Sequence, residues 1–374
     1  VALSPSFSHP ISGLTQTSSF TFCIIIAIDS TAEPPNMFEF VNIPQAFSPS
    51  SLMQSLFIPK PTLTEKNLPD QAGKVHIVTG GYAGVGQALV GILYDKNAVV
   101  YVAGRSQDKA DVAIAAIRNK YPNSKGRLEF LYLDLSDLPT IKPAVESFLS
   151  KEKRLDVLVN NAGVMFPPRD VKSAQGYEMQ MATNCIGPFL LSKLLTPILK
   201  ETAASSPKDS VRVIWAASLG VNLFTPTNGM VIEKGSAPKV CETTQYNYGQ
   251  SKTGNYYFAA EYHRRYSADG IVSVTFNPGN IQTELQRHLP GFVNSSLTYL
   301  GYPPVYGAYT ELFCGWSPDI TVENGGMFVV PWGRFGNTYV RGDILKAVEA
   351  AKTDENALPR VFWEWCDKET AKYQ

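Results

Sequence analysis

Tyr248 and Lys252 stand four residues apart, a spacing that puts both side chains on one face of a helix. A phenol beside an ammonium can give a proton to, or take one from, an oxygen whose charge changes during reaction. At about 5 Å and an effective dielectric near 20, the ammonium favours phenolate by roughly 3 kcal/mol, lowering a phenol pKa near 10 by about two units. The spacing alone is weak evidence. With 18 Tyr and 21 Lys in 374 residues, chance supplies about one such pair, and Tyr121 with Lys125 is that decoy. Pro122 and Asn123 between them predict a turn, whereas Tyr248 opens a helical stretch expected near 245–268. A second candidate is the run Thr79-Gly80-Gly81-Tyr82-Ala83-Gly84-Val85-Gly86. Glycines between a strand and a helix let the backbone approach a pyrophosphate at the helix N-terminus, where free N–H groups favour an anion.

Those residues need a scaffold, and the pattern around them supplies one. From Lys74 onward, short β-branched runs alternate with helical periods: VHIVT (75–79), AVVYVA (98–103), LEFLYL (128–133), LDVLVN (155–160), VRVIWAA (211–217) and IVSVTF (271–276). Helices are expected through about Asp95 and near 107–120, 137–150, 177–200 and 245–268. GMFVV (326–330) reads as a last strand that closes the sheet. Strands alternating with helices predict a Rossmann-type, doubly wound parallel sheet covered on both faces, an α/β fold in a single domain. Residues 1–70, rich in Ser, Pro, Thr and Phe, read as an irregular N-terminal extension, 71–340 as the catalytic domain and 341–374 as a helical tail.

The glycine spacing GxxxGxG resembles that of the short-chain dehydrogenase/reductase family, and further stretches follow in that family's order. Asp134-Leu135 ends the third strand, Asn160-Asn161-Ala162-Gly163 follows the fourth, and Pro278-Gly279 with Ile281 and Thr283 follows the sixth. The resemblance covers about residues 70–340 and is closest to retinol- and steroid-dehydrogenase-like members of filamentous fungi, which often serve secondary metabolism. It implies a nicotinamide cofactor held by Thr79, Gly80, Gly84, Val85, Gly86, Asp134, Leu135, Asn161, Ala162, Gly163, Tyr248, Lys252, Pro278, Gly279, Ile281 and Thr283. It also implies a catalytic tetrad of Asn184, Ser218, Tyr248 and Lys252. In it Ser218 orients the substrate oxygen and Asn184 holds a water near the lysine. Two departures stand out: Ala217 replaces a frequent second serine, and an insertion at 222–244 lengthens the stretch from Ser218 to Tyr248.

A carboxylate at the end of the second strand would bind a ribose 2′-OH and repel a 2′-phosphate. Here Arg105, Ser106 and Lys109 offer a guanidinium, a hydroxyl and an ammonium, so NADP(H) is expected. Leu285, Leu289, Phe292, Leu297, Tyr299, Leu300, Tyr302 and Tyr306 fall within 284–320, where the family carries its substrate lid. They suit a lipophilic carbonyl or alcohol, and equally an ordinary core or subunit interface. Pro331-Trp332-Gly333-Arg334 and Phe362-Trp363-Glu364-Trp365 are candidates to wall the same cleft. The expected activity is NADP(H)-dependent interconversion of a ketone or aldehyde and an alcohol. A nucleotide sensor on the same fold and an epimerase using bound nicotinamide stay open. Family members pair through the helices near 177–200 and 245–268, which implies a homodimer or homotetramer.

Composition removes other classes. The 33 basic and 33 acidic side chains cancel, which argues against a nucleic-acid partner. Five scattered cysteines without a CxxC pair and four distant histidines predict neither a disulfide framework nor a metal site, and fit a cytoplasmic location. No apolar run reaches the roughly 18 residues of a membrane span. Phe20 to Ile28 has the length of a signal-peptide core, but no Lys or Arg precedes Lys60. Asn294-Ser295-Ser296 is a glycosylation sequon, read as chance. The first Met is Met37, so residues 1–36 are expected to lie outside the natural product; the intact mass of the naturally expressed protein checks this.

Overall fold

A computed structural model describes residues 48–55, 58–282 and 301–374. Its core is an eight-stranded sheet in the order β3-β2-β1-β4-β5-β6-β7-β8. The strands are β1 (Val75–Thr79), β2 (Val99–Gly104), β3 (Arg127–Tyr132), β4 (Val157–Asn160), β5 (Val211–Ala216), β6 (Ile271–Phe276), β7 (Phe328–Val330) and β8 (Arg334–Phe335). Neighbours pair in parallel from β3 through β7. The order reverses between β1 and β4, which opens a crevice at their C-terminal ends. The expectation that Phe328–Val330 closes the sheet is corrected by one strand, because β8 folds back antiparallel on β7. The two-residue pairing is too short to leave a periodic signal.

Period-two alternation divides the core into two layers. On β1, Val75 and Ile77 face one cluster and Val78 the other. The second layer holds α2 (Gly84–Asp95), α3 (Gln107–Lys120) and α7 (Pro304–Trp316). The first holds α4 (Ile141–Lys151), α5 (Met179–Ala204), α6 (Thr244–Tyr266), α8 (Gly342–Ala350) and α9 (Leu358–Thr370). By length and composition α5 would suit a membrane span, but 78% of its apolar window is buried inside the molecule, as in the core helix of a doubly wound fold.

Two features depart from the sequence reading. Within the segment expected to be irregular, Pro49–Ser55 forms a short helix, α1. Ser48 Oγ accepts from Ser51 N, and Gln54 joins Tyr339 O at 3.1 Å and Asn277 Nδ2 at 3.1 Å. Those partners lie over 200 residues away, so no local pattern announces the helix. Phe362, Trp363 and Trp365 on α9 are buried in the core and are not part of the cluster around Tyr248. They pack into the layer of α5 and α6, with Phe362 stacked on Phe258 at 4.8 Å and Trp363 edge-on to Phe189 at 4.8 Å. Helix α9 thus covers part of the surface through which the family resemblance implies pairing of α5 and α6.

Glu311 on α7 is fully buried, and neither carboxylate oxygen has a hydrogen-bond partner among the described residues. Burial alone pushes its carboxyl well above the usual carboxylate range. The folded state therefore holds a proton that the unfolded chain releases, so stability is lost as pH rises past the ordinary carboxyl range. Glu311→Met, of similar length, is expected to stabilise the protein by about 1–3 kcal/mol near neutral pH and by less at acid pH, read by denaturant unfolding.

Candidate active site

The C-terminal ends of β1 and β4 are joined by two side chains, those of Thr79 and Asn161. Thr79 Oγ1 donates to Val159 O at 3.1 Å and accepts from Ala162 N at 2.9 Å, while Asn161 Nδ2 donates to Thr79 O at 2.8 Å. The turn leaving Thr79 is therefore fixed against the turn leaving Asn160. Gly80 and Gly84 have φ of 66° and 54°, which disfavour any residue with a Cβ. Gly86 is required for a different reason. A Cβ there would lie 2.6 Å from Asn161 Nδ2 and 2.7 Å from Gly80 O. Helix α2 starts at Gly84 with no side-chain cap and no acidic residue in its first turn, so its free N–H groups can take a phosphate. Val85 is buried against Gly307 of α7.

At the end of β2, Arg105 and Lys109 are exposed, and Ser106 caps α3 by accepting from Lys109 N at 3.4 Å. Tyr82 lays its ring over Gly104, a contact the sequence reading missed. Asp134 turns its carboxylate into its own loop, accepting from Ser136 N at 2.9 Å and Ser136 Oγ at 2.6 Å. Leu135 is buried, with its carbonyl against Gly187. After β6, Gly279 has φ 88° and faces Trp332, while Ile281 bridges Tyr302. Pro278 precedes this turn. Thr283, the lid portion 284–300 and the sequon at Asn294 lie outside the described residues, as do Cys23 and residues 1–47.

Tyr248 and Lys252 lie one turn apart on α6, which Thr243 caps by accepting from Tyr246 N at 3.3 Å. Both are buried, 4% and 3% exposed. Lys252 Nζ donates to Ala216 O at 2.9 Å and stands 5.7 Å from the Tyr248 ring centre. Ser218, just past β5, lies beside the Tyr248 phenol and accepts from Gly220 N at 3.1 Å. Asn184 lies on a π-helical stretch of α5, Ala182–Ile186, an irregularity that is frequent at functional sites. Its amide accepts from Val164 N at 2.8 Å and donates to Val164 O at 3.0 Å and Ser251 Oγ at 2.9 Å. Gly163 leaves room between Asn184 and Lys252, since a Cβ there would stand 3.0 Å from Asn184 Oδ1 and 3.2 Å from Lys252 Nζ.

The electrostatics reverse the expected order. Burial raises the Tyr248 phenol to about 12, with the neighbouring Ser218 hydroxyl acting the other way. Burial also lowers the Lys252 ammonium to about 8. The lowering of the phenol expected from a neighbouring ammonium does not appear, because desolvation by burial is the largest influence on both groups. Lys252 also spends a donor on Ala216 O.

Around Tyr248 the structure adds residues the sequence did not single out: Leu219, Leu223 and Phe224 are buried with it, flanked by Met165 and Phe166. Phe166 meets the Tyr248 ring edge-on at 5.3 Å and Phe224 at 6.2 Å. The adjacency of Met165 and Phe166 to Asn161-Ala162-Gly163 was the available signal there; Leu223 and Phe224 fall at the start of the 222–244 insertion, and Leu219 lies just before it.

The short chain dehydrogenase family model matches residues 74–207. A short-chain dehydrogenase/reductase of Phomopsis amygdali is 47% identical over 323 residues, covering 85% of this chain and 96% of that protein. The chain belongs to the short-chain dehydrogenase/reductase family, oxidoreductases that use a nicotinamide cofactor. Among solved structures, a Shigella flexneri chain complexed with NADP is 18% identical, with a TM-score of 0.53 over 70% of this chain and 98% of that one. A Brucella melitensis 3-ketoacyl-(acyl-carrier-protein) reductase complexed with NADH is 22% identical, with a TM-score of 0.50 over 67% and 95%. At these identities the likeness is one of fold.

The glycine cradle yields a direct test. Gly86→Ala is expected to displace the turn, costing about 1–3 kcal/mol of stability and at least about tenfold in affinity for the reduced nicotinamide cofactor, read by thermal unfolding and fluorescence titration.

Proposed function

We propose that the protein is an NADP(H)-dependent oxidoreductase that interconverts a ketone or aldehyde and an alcohol on a lipophilic small molecule. The observation that carries this reading is the buried Tyr248, one turn from Lys252 on one helix and facing the apolar group of Phe166, Leu223 and Phe224. The glycine cradle fits a dinucleotide, since Cβ atoms at Gly80 and Gly86 would fill the turn beside the uncapped start of α2. Thr79, Asn161, Ala162 and Gly163 support that cradle from the neighbouring strand ends, and Pro278, Gly279 and Ile281 border it across the sheet. When bound, the nicotinamide supplies or accepts the hydride.

In reduction, the Tyr248 hydroxyl gives its proton to the carbonyl oxygen as charge develops there, and the Ser218 hydroxyl donates a hydrogen bond to the same oxygen. A phenol raised to about 12 stays protonated across the physiological range, which suits it to give a proton. Lys252, lowered to about 8, stabilises the tyrosinate left behind while it carries charge. Asn184 holds the Val164 backbone beside the lysine. The exposed Arg105 and Lys109, with Ser106 capping α3, support selection of the 2′-phosphate. Asp134 and Leu135 border the adenine end.

Residues 71–340 are the catalytic unit in this reading, and the resemblance to filamentous-fungal members implies a setting in secondary metabolism. The free thiols Cys185, Cys241, Cys314 and Cys366 support a cytoplasmic location. Any homodimer or homotetramer has to accommodate α9 where it overlies α6.

Reduced-nicotinamide consumption with a panel of lipophilic ketones, aldehydes and quinones tests the reading. Tyr248→Phe is expected to lower kcat by roughly 10²- to 10⁴-fold. Arg105→Ala is expected to cut the preference for NADPH over NADH by roughly 10- to 100-fold. The reductive kcat/KM is expected to fall above pH 8 as Lys252 loses its proton. Equal wild-type affinity for the two cofactors would overturn the NADP(H) assignment. Bound cofactor without net turnover would favour a sensor or an epimerase.

A further inference from the structure

Gln180 lies on α5 one turn before Asn184 and is fully buried. Its Oε1 accepts from Phe166 N at 3.0 Å, and its Nε2 donates to Thr244 O at 2.9 Å and Glu178 Oε1 at 3.2 Å. Thr244 is the first residue of α6. Gln180 therefore ties the segment after β4 to the start of the helix that carries Tyr248. Asn184 makes a second tie between the same two elements, from Val164 to Ser251, whose Oγ donates to Tyr248 O at 2.8 Å.

The residue held at the outer tie is unusual. Phe166 has φ 52°, a left-handed conformation disfavoured for any side chain with a Cβ and adopted here by a bulky aromatic. Glycine would hold the turn with less strain, so the ring itself calls for an explanation. It meets Tyr248 at 5.3 Å and an interplanar angle of 71°, and meets Phe224 at 6.2 Å. Gly220 crowds the same phenol, since a Cβ there would stand 3.0 Å from Tyr248 Cε1. The phenol is thus confined by a backbone and by a ring that is itself held under strain, a combination that persists only where the surroundings over-determine it.

We propose that Phe166 is the positioning residue of Tyr248, and that Gln180 is the residue that holds Phe166 in place. The proposal rests on the reading of Tyr248 as the proton donor. Phe166 touches the phenol and keeps water from its edge. Gln180 acts only through Phe166 and the start of α6. Lys252 and Ser218 are unchanged in the Phe166 and Gln180 variants below, so they do not account for differences between them.

Phe166→Gly tests the ring without stressing the fold, because glycine accepts the left-handed turn. With ¹³Cζ-labelled tyrosine, the resonance lost in Tyr248→Phe reports the ionisation of Tyr248 without any need for turnover. In Phe166→Gly that ionisation is expected to move from about 12 toward the free value near 10, with Phe166→Leu restoring most of the shift. With a reducible aryl ketone as probe, kcat is expected to fall about 10- to 100-fold while NADPH affinity stays within about twofold. An unmoved Tyr248 resonance in Phe166→Gly overturns the positioning role. Retained turnover in Tyr248→Phe would instead sink the reading of Tyr248 as proton donor and leave the resonance test standing.

Gln180→Leu is judged in two backgrounds. If Gln180 serves to hold a strained Phe166, its loss of Tm in the wild type is expected to be at least halved in Phe166→Gly. A Gln180→Leu protein that fails to fold alone but folds with Phe166→Gly supports the same conclusion. Equal losses, or equal failure to fold, overturn it.

Discussion

The hydroxyl of Thr79 lies between Val159 O and Ala162 N, and through it two strand ends 80 residues apart in sequence become neighbours. Asn161 closes the same junction from the other side by donating to Thr79 O. The junction sits where the strand order reverses, so the glycine turn after β1 and the Asn161-Ala162-Gly163 turn after β4 share one crevice. Their fit is steric. Gly86 comes within reach of Asn161 and Gly80, and Gly163 leaves room between Asn184 and Lys252. The glycine turn and, through Gly163, the Asn184–Lys252 pair both adjoin this contact.

From that junction the polar side chains reach outward in order. Asn184 and Gln180 extend from α5 to the backbone after β4 and onward to α6, and Lys252 returns from α6 to Ala216 at the end of β5. Each buried polar group along this path has a protein partner, as a low-dielectric interior demands. Dryness has an electrostatic consequence. It raises Tyr248 and lowers Lys252 together, so the phenol keeps its proton and the ammonium can lose one near pH 8. A phenol made more acidic by its lysine is the picture for a wetter site. Here burial is the larger effect.

Much of the fold was legible because a parallel sheet buried on both faces writes itself as β-branched runs at regular spacing. Val75–Thr79, Ile271–Phe276 and Gln107–Lys120 fall where periodicity put them. Elements that depend on distant partners were not legible. Helix α1 is held by Asn277 and Tyr339, and β8 is a two-residue pairing. The aromatic cluster 362–365 looked like a possible cleft wall, since composition cannot say which face of a helix meets which layer; it packs on Phe189 and Phe258. In the site, Tyr248, Lys252 and the glycine turn stood out because their chemistry depends on local spacing. Phe166, Leu223 and Phe224 did not, because an apolar residue carries no mark of the pocket it will line.

The sequence by itself determined the α/β class, the glycine turn at a strand-to-helix junction and the placing of a phenol and an amine on one helix face. All of these follow from interactions within a few residues, and local spacing encodes them. Tertiary structure alone decided the environment of those groups. It set Tyr248 among Phe166, Leu223 and Phe224, directed the Lys252 proton to Ala216 O, and placed α9 over α6. Burial is a property of the assembled layers, and desolvation, the largest influence on both titratable groups, has no counterpart in the order of the residues.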